Sequence, residues 1–212
     1  MSEPRNCQSH EFPWEGRGAS LDITGARFSI YPMDNSFASI ILDSILMVNT
    51  DKVYSESDAL STVYRGRLKH VFDCMGAVFL NSWSPGLHLA LEGQVSKGCP
   101  GDSDADSYFT EDDVPLNRPN LTVENFSVIA KLALYPLGCP GYLDIIGEVI
   151  RMADREKLNP KIIHYATRIE GGIFEVLDFL EHVSAFAQDK SSHYVLHFTI
   201  SAGSPTREQP YS

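Results

Sequence analysis

The chain carries one pattern twice, and a duplication of this kind restricts the fold to architectures in which a single supersecondary unit occurs in two copies. FSIYPM at 28–33 faces LALYPL at 132–137, an offset of 104 that pairs Tyr31 with Tyr135 and Pro32 with Pro136. Beyond the first helix the offset becomes 105, and Thr62 pairs with Thr167, Gly66 with Gly171, Asp73 with Asp178, His88 with His193, Ser96 with Ser201 and Gly98 with Gly203. One inserted residue reconciles the two registers.

The apolar periodicity repeats as well, which means that the same faces are buried in both copies. Leu68, Val71, Phe72, Met75, Val78 and Phe79 follow helical spacing, and their partners are Ile173, Val176, Leu177, Leu180, Val183 and Ser184. An earlier helix repeats a second stripe, Ala38, Ile41, Leu42, Ile45 and Val48 against Tyr142, Ile145, Ile146, Val149 and Met152. Strands are expected near 26–33, 52–56, 58–65 and 87–97, and again near 129–136, 160–163, 164–169 and 193–201. The order in each copy is then βαββαβ, the ferredoxin-like unit, so the fold class is α+β: two tandem units, each an antiparallel sheet with helices on one face. The domain division is a leader at 1–24, a first repeat at 25–100, an acidic linker at 101–125, a second repeat at 126–205 and a tail at 206–212.

Residues two apart on a strand share a face. Phe28, Ile30, Leu87, Leu89, Leu91 and Val95 belong under the helices, as do Leu132, Leu134, Tyr194, Leu196, Phe198 and Ile200. The opposite side carries Arg27, Ser29, Tyr31, His88, Glu92, Gln94 and Ser96 in the first copy, and Lys131, Tyr135, His193, His197, Thr199 and Ser201 in the second. On the third strand Leu60, Thr62 and Tyr64 are expected to point at the helices, with Ala59, Ser61 and Arg65 pointing away. Hydroxyls, rings and donors on one face suit a small polar heteroaromatic ligand, although a half-exposed antiparallel sheet meeting water has the same look.

Composition narrows the classes of function. With 17 basic and 28 acidic residues the formal charge is −11, which repels nucleic-acid phosphates and anionic membrane surfaces. No apolar run reaches the roughly 18 residues of a membrane helix, and the opening residues lack a secretory apolar core, so a cytoplasmic protein without membrane insertion is expected. Cys7, Cys74, Cys99 and Cys139 have neither zinc-site spacing nor disulfide-scaffold density. Asp102, Asp104 and Asp106 occupy the first, third and fifth positions of a calcium-loop pattern, but Ser107 stands where glycine is needed and Asp113 where glutamate is. A solvated acidic linker is the expectation there. No GxSxG, HExxH, Walker or GxGxxG motif gathers the histidines and carboxylates into an acid–base site, so no catalytic residue, metal or cofactor is expected.

ARFSIYPM (26–33), KVYSESDALSTVYRGRLKHVFD (52–73) and GCPGD (98–102), with LALYPL, KIIHYA (161–166) and SAGSP (201–205), resemble the YkoF-type thiamin/hydroxymethylpyrimidine-binding proteins. The resemblance implies a non-catalytic tandem ferredoxin-like protein with one pocket per repeat for thiamin or its hydroxymethylpyrimidine moiety. It further implies a homodimer and a role in thiamin-precursor uptake or salvage beside a transporter. Carried onto this chain, the ligand-binding residues are Ser29, Tyr31, Ser61, Thr62 and Ser96 in the first copy, and Tyr135, His164, Tyr165, Thr167 and Ser201 in the second. Glu92, Gln94 and Thr199 join them from the outward strand faces. Ala133 and Ala166 replace the hydroxyls of Ser29 and Ser61, so the two pockets should bind unequally. A small-molecule-sensing module acting on a partner protein is the alternative reading, and a small ferredoxin-like enzyme a more distant one.

Overall fold

The computed structural model describes residues 23–97 and 103–206. Readings that fall on 1–22, 98–102 and 207–212, among them most of the leader and tail, Cys7, Cys99, Asp102 and the Gly98 pairing, lie outside the described residues.

Both repeats contain the full βαββαβ set. The first comprises β1 (Thr24–Pro32), α1 (Phe37–Leu46), β2 (Val53–Ser57), β3 (Thr62–Gly66), α2 (Leu68–Ser82) and β4 (Leu89–Lys97). The second comprises β5 (Ser127–Leu137), α3 (Tyr142–Arg155), β6 (Lys161–Ile163), β7 (Ala166–Gly172), α4 (Ile173–Lys190) and β8 (His193–Ala202).

The sequence pattern predicts one sheet per unit; the two units instead share a single eight-stranded antiparallel sheet in the order β2-β3-β1-β4-β8-β5-β7-β6. The join is the β4–β8 ladder, running from Leu89↔Ala202 to Lys97↔Tyr194. Each unit alone would leave one of these strands at an edge with a row of unpaired N–H and C=O groups, and pairing them satisfies both edges at once. Gly93 lies opposite Phe198, its own counterpart at the offset of 105, so the pseudo-twofold axis relating the repeats passes through this pair.

Inward residues of the central strands, including Leu89, Leu91, Val95, Leu196, Phe198 and Ile200, are fully buried beneath α2 and α4. Of the α2 stripe Leu68 is half-buried at the helix start and Val71, Phe72, Met75, Val78 and Phe79 are buried, as is the whole second-copy counterpart, Ser184 included. At Gly76 an added Cβ would lie 3.2 Å from Leu177, so glycine lets α2 and α4 approach closely.

The stripe on α1 is only half used: Ala38 and Leu42 are exposed, and Val48 is buried just past the helix end. This helix leans on α2 and the end of β1 and does not cover the outer strands. Its counterpart α3 buries Ile145, Val149 and Ala153, one residue per turn. On the third strand Thr62 and Tyr64 do face the helices, but Leu60 is 82% exposed, contrary to its expected inward position. The reason is a turn. Asp58 accepts the amide protons of Leu60 (2.7 Å) and Ser61 (2.9 Å), and β3 therefore begins only at Thr62.

The segment between the repeats is fastened to the helices. Asp73 on α2 accepts the backbone N–H groups of Leu116, Asn117 and Arg118 at 2.8–3.0 Å, together with the Asn117 side-chain amide at 2.9 Å. Arg118 makes a two-pronged pair with Asp178 on α4 at 2.8 and 3.2 Å. Two 3₁₀ turns, Ser103–Thr110 and Arg118–Asn120, shape the rest. Asp112 is paired with Lys52 and Asp113 with Arg67, and no group of three or more metal-ligating side chains forms among the described residues.

Candidate ligand-binding notches

Register creates a gap in each repeat. The β1–β3 ladder stops at Phe28↔Thr62 and the β5–β7 ladder at Leu132↔Thr167, while β1 and β5 run on to Pro32 and Leu137 with no partner on that side. Beside this free length lie the turn of the outer hairpin and the first helix of the repeat.

In repeat two the gap is a cleft of about 450 Å³ walled by Leu134 and Pro136 of β5, Tyr142, Ile146 and Val149 of α3, and Ile162, Ile163 and Tyr165 of the β6–β7 hairpin. Its described lining holds no charged side chain. Beside three tyrosines the lining includes Thr167, which is 8% exposed and whose hydroxyl makes no hydrogen bond among the described residues. In repeat one the equivalent hydroxyl of Thr62 is engaged by Ser57 at 2.9 Å, whereas Ile162 stands at the Ser57 position in repeat two and offers nothing. The Thr167 hydroxyl is therefore free to meet a ligand, where that of Thr62 is already engaged.

The repeat-one gap is bridged by its own loop. Ser29 donates to the Leu60 carbonyl at 2.9 Å, and Arg27 reaches both Asp58 (3.1 Å) and the Ser61 hydroxyl. The Leu60 amide above all, then Arg27 and the Ser61 amide, hold the Asp58 carboxyl below its ordinary range. None of these bonds can form in repeat two, where Lys131, Ala133, Ile163 and Ala166 occupy the four positions.

The residues singled out from sequence are not brought to one place. Tyr135, Tyr165 and Thr167 line the repeat-two notch, and Thr62 sits at the matching floor of repeat one. Ser29, Tyr31, Glu92 and Gln94 border a shallow depression of about 180 Å³ on the helix-free face, where Glu92 also meets His197 at 3.3 Å. Ser96, Thr199 and Ser201 lie along the β4–β8 join; Ser96 donates to the Tyr194 carbonyl at 2.8 Å, and Ser201 meets His88 at 3.3 Å. Ser61 belongs to the bridging loop, and His164 is exposed in the β6–β7 turn, its ring 6.3 Å from that of Tyr165. Tyr142, Ile146, Ile162 and Ile163 were not singled out for a site. Their helical and strand spacing is that of core residues, and only the incomplete cover of the outer strands turns them toward a cleft.

Burial pushes the Cys74 thiol up to about 12, so it stays protonated at neutral pH. Desolvation lowers the His193 pKa and keeps that imidazole neutral. A smaller cavity of about 260 Å³ between α2, α4 and the interrepeat segment has a charged rim closed on itself by Lys69–Glu181 at 3.0 Å and Arg118–Asp178. Among the described residues no helix is long and apolar enough to cross a membrane.

Comparison with known sequences agrees with the duplication. The profile of the YKOF-related family matches residues 23–102 and again residues 127–207. A Bacillus subtilis (strain 168) protein named "Putative HMP/thiamine-binding protein YkoF" is 33% identical over 186 residues, covering 88% of this chain and 93% of that protein.

Proposed function

Since the chain belongs to the YKOF-related family, we propose that it binds thiamin or its hydroxymethylpyrimidine moiety without transforming it, one molecule in the notch of each repeat. The observation that carries this reading is the unpartnered Thr167 hydroxyl in an uncharged, largely apolar cleft. An aminopyrimidine presents ring-nitrogen acceptors and an amine donor in its plane and apolar surface on its faces. The hydroxyl answers the plane, and Leu134, Ile146, Val149 and Ile162 answer the faces. Micromolar binding requires only about −8 kcal/mol, within reach of one such cleft.

In this reading the notches replace the helix-free face as the ligand seat, and Glu92, Gln94, Ser96, Thr199 and Ser201 fall outside it. The protein would hold the vitamin or its precursor in the cytoplasm beside a transporter, as a homodimer. The family relative's name supports the ligand class.

Thermal-shift titration with thiamin, its phosphates, hydroxymethylpyrimidine and amino acids tests the reading. A ligand at about a hundredfold excess over its Kd stabilises by about 3 kcal/mol. Thr167→Val should weaken pyrimidine binding to repeat two by about fivefold to tenfold, the worth of one hydrogen bond, without lowering the melting temperature of the free protein. A flat response to every pyrimidine rejects the proposal.

A further inference from the structure

Three tyrosines border the mouth of the repeat-two notch: Tyr135, Tyr142 and Tyr165, 51%, 48% and 97% exposed. At the corresponding positions repeat one has Tyr31, Ala38 and Leu60, a single ring. Large apolar rings left in solvent around a cleft mark a surface that something covers.

The cover is a small molecule and not a protein segment, because the cleft of about 450 Å³ has ligand dimensions and Thr167 in its lining offers a hydroxyl that no side chain of the described residues engages. Its charge follows from what the lining lacks. With neither lysine, arginine, aspartate nor glutamate in the described lining, an anion would find no partner, and a compact ammonium would lose its tightly held water with no carboxylate in return. A ring-delocalised cation is held more weakly by water and is attracted to the electron-rich faces of tyrosines. The chain's net charge of −11 adds long-range attraction for the same sign.

We propose that the tyrosine-bordered mouth of repeat two is a subsite for a permanently charged heteroaromatic ring, so that repeat two distinguishes thiamin, with its thiazolium, from the neutral hydroxymethylpyrimidine, and repeat one does not. The proposal rests on the pyrimidine seat at Thr167 described above but concerns a separate subsite further out. The neutral ring lies at the floor against Thr167 and the cationic ring at the mouth among Tyr135, Tyr142 and Tyr165.

The test gives repeat two the residues of repeat one at the mouth: Tyr142→Ala and Tyr165→Leu, singly and together. Calorimetric titration with thiamin, hydroxymethylpyrimidine and N-methylthiazolium follows, and the site weakened in Thr167→Val identifies repeat two. Urea unfolding checks that each variant is folded. Each lost ring should weaken thiamin at repeat two by between about twofold and thirtyfold, while hydroxymethylpyrimidine changes by less than about twofold. Equal losses for the two ligands, or unaltered thiamin affinity in the double variant, overturn the proposal. If the unsubstituted protein takes up neither thiamin nor hydroxymethylpyrimidine, the functional reading fails on its own account. N-methylthiazolium then decides the subsite: saturable binding lost in the double variant upholds it, and no binding overturns it.

Discussion

Gly93 faces its own counterpart across the pseudo-twofold axis, and the two positions hold residues at opposite extremes of size. A Cβ on Gly93 would meet the Phe198 ring at 3.0 Å and the Phe28 Cβ at 3.3 Å, so the ring of one repeat fills the space the other leaves empty. Gly93→Ala should therefore destabilise the fold by about 1–3 kcal/mol, the usual cost of overpacking a full core, measured as the shift in urea midpoint. An unchanged midpoint would mean that the Phe198 ring can move aside. The sequence registers this pair only as a mismatch within the repeat, because nothing in a linear pattern says that two equivalent residues touch. Thr62 and Thr167 were legible in a different sense. Both stand among the residues that the family resemblance marks for the ligand, and alternation turns Thr62 toward the helices, but whether a hydroxyl there is answered depends on position 57 or 162 of the neighbouring strand. That dependence needs the register.

Among the elements, the helices and inner strands could be read from periodicity alone because they are buried on a regular face, and α2 and α4 follow their stripes throughout. The outer hairpin could not. Alternation continues through ALSTVYR, so the pattern alone starts the strand near 58, while the side chain of Asp58 bends the chain into a turn that pattern matching does not weigh. Likewise α1 has a full apolar stripe and half of it meets solvent, because a ten-residue helix leaning on α2 leaves the outer strands uncovered.

The bridging loop of repeat one should respond to acid. Asp58 titrates below its ordinary value in the folded protein, so its contribution is complete above about pH 4 and is lost as the pH falls through the lower folded value. The Ser61 amide resonance, followed by NMR, should titrate with a midpoint below about 4, and Asp58→Asn should abolish that transition. A midpoint above the ordinary carboxylate value would contradict the assignment of the loop's closure to this group.

At the level of the whole molecule, the shared sheet leaves one broad face without helices. Near its centre Val195 lies between Ser96 and Tyr135 on neighbouring strands. This is the face on which the proposed second copy would pack, since part-apolar sheet surfaces of this breadth seldom stay bare. Light scattering should return about twice the chain mass of 23.6 kDa, and Val195→Glu should return a single chain with unchanged ligand binding. A single-chain mass for the unsubstituted protein at high concentration would remove the dimer from the proposal.

The Gly93–Phe198 contact also bears on why the two halves are covalently joined. Two identical subunits meeting about a true dyad must place the same residue on both sides, glycine against glycine or phenylalanine against phenylalanine, and a void or a collision results. A single polypeptide is free of that constraint. Its halves can become unlike where likeness would be costly, and the same freedom lets one binding notch be bridged by its own loop while its twin stands open.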